Sequence, residues 1–190
     1  MMLLIGMLLA YFLGSISSAI LVCRAFQYPD PRQEGSKNPG ATNVLRLTRS
    51  KKAALLTLAG DAAKGFLPVG IMLAWGADTP TATWVLLAAF LGHLFPCFFG
   101  FVGGKGVATA LGGLTALSLP LGGLVILTWG ITFLCFRISA LSALSAFVGL
   151  PLYAYLVFHA LAPSVPLFIL SVLLILRHKE NIQRLLSGIK

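Results

Sequence analysis

VATALGGLTALSLPLGGLVILTWGITFLCF, the run from Val107 to Phe136, decides how often the chain crosses a membrane, because it contains no charged residue. One helix over this run would place Arg137 and the basic tail that begins at Arg177 outside, although Lys and Arg favour cytoplasmic loops. A break at Leu119-Pro120-Leu121-Gly122-Gly123 returns both to the cytoplasm, and its proline and paired glycines are poor helix residues. The first half, about Val107 to Ser118, is then roughly 18 Å long, too short for a hydrocarbon core of roughly 30 Å. We therefore predict a short or re-entrant helix followed by a separate helix to Phe136.

The composition confines the whole chain to a membrane. Of 190 residues, 58% are hydrophobic and only 10% are charged. A soluble domain has about a quarter of its residues charged, so the composition excludes a cytosolic globular protein, a disordered chain and a disulfide-stapled secreted module. The cysteines Cys23, Cys97 and Cys135 are isolated in apolar runs, without the spacing of a redox pair or a zinc site. We expect no metal and no cofactor.

The charge balance points to anions at one membrane face. The chain has 14 Lys and Arg against 5 Asp and Glu, a net charge of +9. In a membrane protein this excess sets topology or binds anionic substrates, and we expect no nucleic acid partner.

The remaining apolar runs complete an all-α polytopic membrane helix bundle. We predict seven helical segments, one or two of them short or re-entrant, in a single domain over residues 1–190. The polar stretch from about Gln27 to Lys52 is predicted to be a cytoplasmic loop with a short interfacial helix. With the N-terminus outside and the C-terminus cytoplasmic, every cation except Lys64 lies at the cytoplasmic face. The other predicted spans are Leu3–Val22, Ala53–Trp75, Thr81–Phe101, Ile138–Phe158 and Val165–Leu176.

The first polar cluster runs from Gly35 to Arg46 and reads GSKNPGATNVLR. Its glycines allow backbone amides to approach an anion, and its Ser, Thr, Asn and cationic side chains can complete a phosphate cradle. A turn that caps an interfacial helix explains the same residues equally well. The candidate ligands are Gly35, Ser36, Lys37, Asn38, Gly40, Thr42, Asn43 and Arg46.

The second cluster, Gly103-Gly104-Lys105-Gly106, stands directly before the helix that begins near Val107. Helix N-termini attract phosphate through their unpaired amides and dipole. The run is not a Walker A loop. That motif needs a glycine five residues before Gly104, where Phe99 stands, and a Ser or Thr after Lys105, where Gly106 stands. A tight turn with one topogenic lysine is the alternative.

The third cluster runs from Arg177 to Arg184. His178 and Asn181 are three residues apart and face the same side if the helix continues, so they can jointly orient a proton acceptor. A solvated cationic helix end is the alternative. Within span two, Asp61 and Lys64 can pair on one face, so Lys64 either adds to an anion site or forms a structural ion pair.

Together the three clusters resemble the cytoplasmic motifs of PlsY-type bacterial glycerol-3-phosphate acyltransferases. The resemblance extends to Gly14-Ser15-Ile16 and to Gly60-Asp61-Ala62-Ala63-Lys64-Gly65, so it covers essentially the whole chain. It implies an enzyme of phospholipid biosynthesis in the bacterial inner membrane, with its active site facing the cytoplasm. The implied reaction transfers a fatty acyl group from acyl phosphate to the first hydroxyl of glycerol 3-phosphate, giving lysophosphatidic acid and inorganic phosphate.

The resemblance also implies roles for individual residues. Ser36 and Arg46 are implied to be essential in the first motif, and the glycines Gly103, Gly104 and Gly106 to form part of the glycerol 3-phosphate site. His178 and Asn181 are implied to be active in the third motif, with Glu180 a more structural member of the site. From the residues themselves we expect Arg46 and Lys105 to neutralise phosphate, and His178 or a substrate phosphate to accept the hydroxyl proton.

A membrane transporter of phosphate-bearing anions or lipids is the main alternative function, because cationic pockets and a short broken helix also serve transport. A transporter needs polar residues along a path to the outer face. Apart from Asp78 and His159, the sequence offers almost none there.

Overall fold

The computed structural model describes residues 1–187, and all of the regular secondary structure in that range is helical. Residues 188–190, which end the predicted domain and include Lys190, lie outside the described part. A single 3-10 turn, Cys97–Phe99, follows the fifth helix. The ten α-helices are α1 Met2–Gly14, α2 Ser18–Ala25, α3 Ala41–Thr48, α4 Lys51–Ala74, α5 Thr79–Leu94, α6 Val107–Leu117, α7 Leu119–Phe136, α8 Ser139–Phe158, α9 Ser164–Arg177 and α10 Lys179–Leu186.

Five apolar helical stretches in residues 1–187 have the length and composition to cross a membrane. They are α1 with α2, α4, α5 with its 3-10 turn, α7 and α8. The helices α6 and α9 are apolar but shorter, and α3 and α10 are short amphipathic helices. The prediction of an all-α membrane bundle is confirmed, and so is the short helix that the sequence placed before the break.

The break after α6 lies slightly earlier than predicted. Ser118 alone adopts an extended conformation, and its hydroxyl oxygen accepts the Leu121 N–H at 3.4 Å as the cap of α7. Pro120 therefore lies in the first turn of α7, where a missing N–H disrupts nothing. The proline begins the second helix, and the sequence prediction that it breaks the run was wrong by two residues.

The predicted single helix from Leu3 to Val22 is interrupted in the structure. The interruption, residues 15–17, separates α1 from α2, and Ser17 is extended. The Lys64 ammonium of α4 donates a hydrogen bond to the Ile16 carbonyl at 2.9 Å. A buried cation thus satisfies a carbonyl that the interrupted helix leaves unpaired.

The core is centred on α5. Phe90, Leu86 and Leu94 are fully buried against side chains of α6, α8 and α9. The helices α4 and α6 pack backbone to backbone, because a Cβ at Gly65 or Gly112 would collide with a carbonyl oxygen of the facing helix. This close packing fixes the N-terminus of α6 beside the middle of α4. Large apolar side chains on the outer helices, such as Leu4 and Leu134, are exposed, as the lipid-facing surface of a bundle requires.

Candidate active site

The loop Gly103–Gly106, here called the glycine loop, lies at the end of α5 and leads into α6. The Gly104 N–H donates to the His93 carbonyl at 3.2 Å. A Cβ at Gly104 would collide with the His93 ring and lie 3.1 Å from the Pro39 carbonyl oxygen. Only glycine fits there, and this contact brings the first polar cluster against the second.

The third cluster reaches the same loop. The Arg177 guanidinium donates to the Gly103 carbonyl at 2.9 Å and to the Gly104 carbonyl at 3.2 and 3.3 Å. It lies over the Phe95 ring, 5.6 Å from the centroid. The Lys105 ammonium donates to Asn181 Oδ1. The structure therefore brings the second and third clusters together through direct side-chain contacts.

Lys105 holds a positive charge in a partly desolvated position. Its pKa is lowered to about 8, first by burial and then by Arg184, with Arg177 acting in the same direction and Glu180 opposing. At neutral pH the side chain is still largely protonated. A cation that is short of water and surrounded by other cations is a favourable partner for an anionic ligand.

The first turn of α6 adds backbone donors beside Lys105. Gly106 is the N-cap residue and has no side chain to occupy the unpaired amides of that turn. These amides, together with the helix dipole, attract anions, and phosphate above all. The arrangement can hold one phosphate group between the helix N-terminus and the Lys105 ammonium.

His178 lies at the junction of α9 and α10, only 3% exposed. Its Nδ1 is 2.8 Å from the Leu174 carbonyl oxygen. A carbonyl can only accept, so Nδ1 carries a proton and Nε2 is left with a lone pair in the neutral ring. Burial is the main reason that the pKa of His178 is lowered to about 4, and Lys105 lowers it further against the Leu174 hydrogen bond. The imidazole is therefore neutral at pH 7 and can accept a hydrogen bond through Nε2.

The helix does not continue straight through this cluster, as one sequence interpretation required. His178 has left the conformation of α9 and begins α10. The two predicted partners have separate contacts here, since Asn181 binds Lys105 while His178 binds Leu174. Glu180 and Arg184 are exposed on α10.

Asn43 organises the first cluster. Its Oδ1 accepts the Ser36 N–H at 2.9 Å, and its Nδ2 donates to the Pro31 and Glu34 carbonyls at 2.9 and 3.1 Å. Because this buried amide is used within the loop, its contribution is to the shape of the loop around Ser36. A direct contact of Asn43 with substrate stays a prediction.

The other predicted residues of the first cluster are more accessible. The half-exposed positions are Ser36, Asn38 and Gly40, and the exposed positions are Gly35, Lys37, Thr42 and Arg46. Gly35 and Lys37 both have positive φ angles, 64° and 54°. Arg46 extends from the last turn of α3 and makes no side-chain hydrogen bond or ion pair within residues 1–187, so its guanidinium is available to a ligand.

Lys64 lies inside the bundle. Its ammonium is 3.0 Å from Asp61 Oδ1, and both side chains are about 5% exposed or less. His93 Nδ1 lies 3.7 Å from the same carboxylate oxygen and 3.3 Å from Thr109 Oγ1 in the first turn of α6. Of the two interpretations open from the sequence, the structure shows the ion pair; a contact of Lys64 with substrate stays a prediction.

Sequence reasoning missed the contribution of His93 and Arg177. His93 looks like an isolated histidine in an apolar span, and only the packing of α5 against α6 places it under the glycine loop. Arg177 reads as a topogenic charge at a helix end. The available signal was its position directly before His178.

Comparisons with known proteins agree over nearly the full length. A family model described as glycerol-3-phosphate acyltransferase matches residues 4–188. A glycerol-3-phosphate acyltransferase of Methylobacillus flagellatus is 53% identical over 94% of this chain and 91% of its own length. The enzyme of the same name from Methylococcus capsulatus is 52% identical over 94% of this chain and 90% of its own.

Two solved structures share the fold. The crystal structure of PlsY, an integral membrane glycerol 3-phosphate acyltransferase, in its glycerol 3-phosphate form has a TM-score of 0.92 and 38% identity, covering 99% of this chain and 94% of that chain. Its lysophosphatidic acid form has a TM-score of 0.90 and 37% identity, covering 99% and 93%.

Proposed function

Because the chain belongs to the glycerol-3-phosphate acyltransferase family, we propose that it transfers a fatty acyl group from acyl phosphate to the first hydroxyl of glycerol 3-phosphate. The products are lysophosphatidic acid and inorganic phosphate. The observation that carries the proposal is the meeting of the three polar clusters at the glycine loop, where Lys105 contacts Asn181 and Gly104 lies against Pro39. The family assignment decides between the enzyme and the transporter in favour of the enzyme.

The phosphate groups of the substrates are the ligands that this site is built to take. Lys105 and the first-turn amides of α6 supply charge and directed donors for one phosphate. Arg46 and Ser36 supply a second set on the first cluster. Two anionic substrates and two sets of donors account for the excess of cations near the loop.

The chemistry needs no covalent enzyme intermediate. Acyl phosphate is a mixed anhydride with a good leaving group, so the first hydroxyl of glycerol 3-phosphate can attack the acyl carbonyl directly. The new ester C–O bond forms, the bond from the acyl carbon to the phosphate oxygen breaks, and phosphate leaves with the electron pair.

The hydroxyl proton goes to a substrate phosphate in this proposal. His178 is neutral with a pKa of about 4, whereas the second pKa of a phosphate monoester is about 6. The phosphate is therefore the final acceptor: the hydroxyl is first oriented by donating a hydrogen bond to His178 Nε2, and it then exchanges this hydrogen bond for one to the phosphate oxygen that takes the proton.

The site is proposed to face the cytoplasm from the inner membrane of a bacterium. Seven apolar segments with the N-terminus outside place all 14 cations except Lys64 at the cytoplasmic face. The three polar clusters contact one another through Pro39, Gly104, Lys105 and Arg177. Much of the positive charge therefore lies at one end of the bundle. Glycerol 3-phosphate is water-soluble, so an active site at that end has access to it.

The test is a reconstitution with purified protein. Acyl phosphate and glycerol 3-phosphate are supplied together, and lysophosphatidic acid and inorganic phosphate should appear in equal amounts. Acyl-CoA and acyl carrier protein serve as competing donors. Product from acyl-CoA alone would contradict the proposed donor, and no product from any donor would overturn the reaction.

A matched pair of variants tests the first cluster. Arg46→Ala should lose most of the activity because it removes a phosphate-binding charge, while Arg137→Ala, at the exposed turn between α7 and α8, should retain it. Full activity of Arg46→Ala would remove Arg46 from the site.

A further inference from the structure

Arg177 holds two consecutive peptide units of the glycine loop. Its guanidinium donates to the carbonyls of both Gly103 and Gly104. We propose that Arg177 is a positioning residue, which turns these carbonyls away from the substrate phosphate and thereby presents the Lys105 N–H to it. The inference rests on the phosphate site proposed above and deepens it.

The Gly103–Gly104 peptide unit is held at both ends. Its carbonyl oxygen accepts from Arg177 at 2.9 Å, and its N–H donates to the His93 carbonyl at 3.2 Å. The unit cannot rotate without losing both hydrogen bonds. It is the fixed support for the next unit in the loop.

Among the contacts of residues 1–187, the Gly104–Lys105 peptide unit is held at one end only. Its carbonyl oxygen accepts from Arg177, and no cis peptide bond occurs in residues 1–187. In a trans peptide the N–H points opposite to the carbonyl. The Lys105 N–H therefore points away from Arg177 and is free to join the amides of the α6 N-terminus.

The conformational freedom of glycine makes it necessary to fix the orientation of these peptide units. Gly103 and Gly104 have no Cβ to restrict rotation, and a flip of the Gly104–Lys105 peptide would aim its carbonyl oxygen at an anionic ligand. A carbonyl in that position repels phosphate, whereas an N–H binds it. The orientation set by Arg177 thus decides whether the loop attracts or repels the substrate.

Arginine is specifically suited to this contact. Its planar guanidinium reaches two carbonyls at once and lies over the Phe95 ring at 5.6 Å. A lysine carries the same charge but lacks the planar fork and the stacking surface. Arg177→Lys therefore separates the charge of the residue from its geometry.

Kinetics with matched variants is the first test. Arg177→Lys and Arg177→Gln should each lower kcat/KM for glycerol 3-phosphate by on the order of 100-fold, mainly through KM, as expected for misplacement of a binding group by about 1 Å. Arg137→Lys and Arg137→Gln, at an exposed position away from the loop, should behave like the wild type. Wild-type kinetics of Arg177→Lys would mean that only charge matters and would overturn the proposal.

A spectroscopic readout reports the loop directly. The chain contains the dipeptide Gly-Lys once, at Gly104–Lys105. Labelling glycine with carbonyl carbon-13 and lysine with amide nitrogen-15 therefore gives one carbon–nitrogen correlated signal from this peptide unit in detergent micelles. Without ligand, both Arg177 variants should move the carbonyl shift, and the signal should respond less to added glycerol 3-phosphate than in the wild type.

The outcomes separate the positioning role from the phosphate site itself. If the wild-type signal did not change on addition of glycerol 3-phosphate, the phosphate site would be contradicted. The change in carbonyl shift between wild type and Arg177 variants without ligand would still test the role of Arg177. An unchanged ligand-free signal in both variants would overturn the positioning role. Loss of a cooperative thermal transition in both variants would make Arg177 a folding residue and would overturn it too.

Discussion

At the scale of single residues, the site places titratable groups where burial has altered their chemistry. Lys105 and His178 both have lowered pKa values, about 8 and about 4, and burial is the main cause in each case. One side chain stays cationic at neutral pH and the other stays neutral. The same desolvation thus yields an anion-binding group and a hydrogen-bond acceptor next to one another.

The pKa of Lys105 predicts an alkaline limb in the pH profile. The protonated ammonium binds phosphate, so kcat/KM for glycerol 3-phosphate should fall as the pH rises through about 8. The substrate phosphate is already a dianion there and does not contribute to the limb. In Lys105→Arg the guanidinium stays charged, and the limb should move beyond pH 10 in steady-state assays. A limb near pH 8 in that variant would assign the titration to another group.

His178 is expected to act on kcat. Asn at this position retains an amide donor for the Leu174 carbonyl but has no group equivalent to Nε2. His178→Asn should therefore lower kcat by about 100-fold, as expected when a reacting group loses the contact that positions it, with little change in the thermal midpoint. His178→Ala should lower both, because it also leaves a cavity. Wild-type kcat in the asparagine variant would exclude a role for Nε2.

At the scale of elements, the junction of the glycine loop with α6 determines the site. Gly104 lies between the His93 ring and the Pro39 carbonyl, where a Cβ would collide. Gly104→Ala should push the loop out of place and abolish most of the activity. Gly130→Ala on α7 is the matched control, since no atom of the described residues 1–187 lies within 4 Å of its Cβ position. The Gly130→Ala variant should retain activity, and its thermal midpoint should equal or slightly exceed that of the wild type. Equal activity of Gly104→Ala and Gly130→Ala would contradict the close packing around Gly104.

Much of the helical architecture follows from local patterns in the sequence. Apolar runs predicted the helices, and topogenic charge predicted that the run from Val107 to Phe136 is broken. The exact position of the break could not be predicted, because a proline can either end a helix or lie in its first turn. In the structure Ser118 caps α7, so Pro120 lies in the first turn of that helix. The interruption at residues 15–17 could not be predicted either, because the Ile16 carbonyl that it exposes finds its partner, Lys64, on another helix.

The site could be predicted as three clusters but not as a set of contacts. Gly, Lys and Asn residues before or after helices indicate anion chemistry locally. The positions of Arg177 and His93 around the glycine loop depend on how α5, α6 and α9 pack. Asn43 has the residue type of a ligand, yet its amide is used by its own loop. Such assignments need the tertiary structure.

At the scale of the whole molecule, the proposed topology makes a prediction about labelling in intact cells. With the three native cysteines replaced by alanine, Asp78→Cys should react with an impermeant maleimide, because Asp78 lies in an outer loop of the seven-segment arrangement. Arg137→Cys should react only after permeabilisation. Both positions lie at helix ends, so both cysteines should react with the maleimide when the protein is in detergent. This labelling in detergent is the control for accessibility. Labelling of Arg137→Cys from outside would exclude the seven-segment arrangement.

A buried cluster connects α4, α5 and α6 to the interruption between α1 and α2. Lys64 links Asp61 of α4 to the interruption between α1 and α2, while His93 of α5 lies between Asp61 and Thr109 of α6. Removing one member of a buried pair leaves an uncompensated charge and costs about 3–5 kcal/mol, whereas replacing both with apolar residues is often tolerated. Lys64→Met should therefore unfold at much lower denaturant than the wild type.

The double variant Asp61→Leu/Lys64→Met distinguishes the two roles open to Lys64. In a denaturant titration it should recover most of the lost stability. It should not recover the part that comes from the hydrogen bond to Ile16, because neither new side chain can make that bond. If Lys64 serves the fold, as its contacts indicate, the refolded double variant should also recover acyltransferase activity with an unchanged KM for glycerol 3-phosphate. A stable double variant that remains inactive, or whose KM rises sharply, would instead place the Lys64 charge in the substrate site. The buried pair is thus expected to support the site through the packing of α4, α5 and α6, so stability and activity should return together.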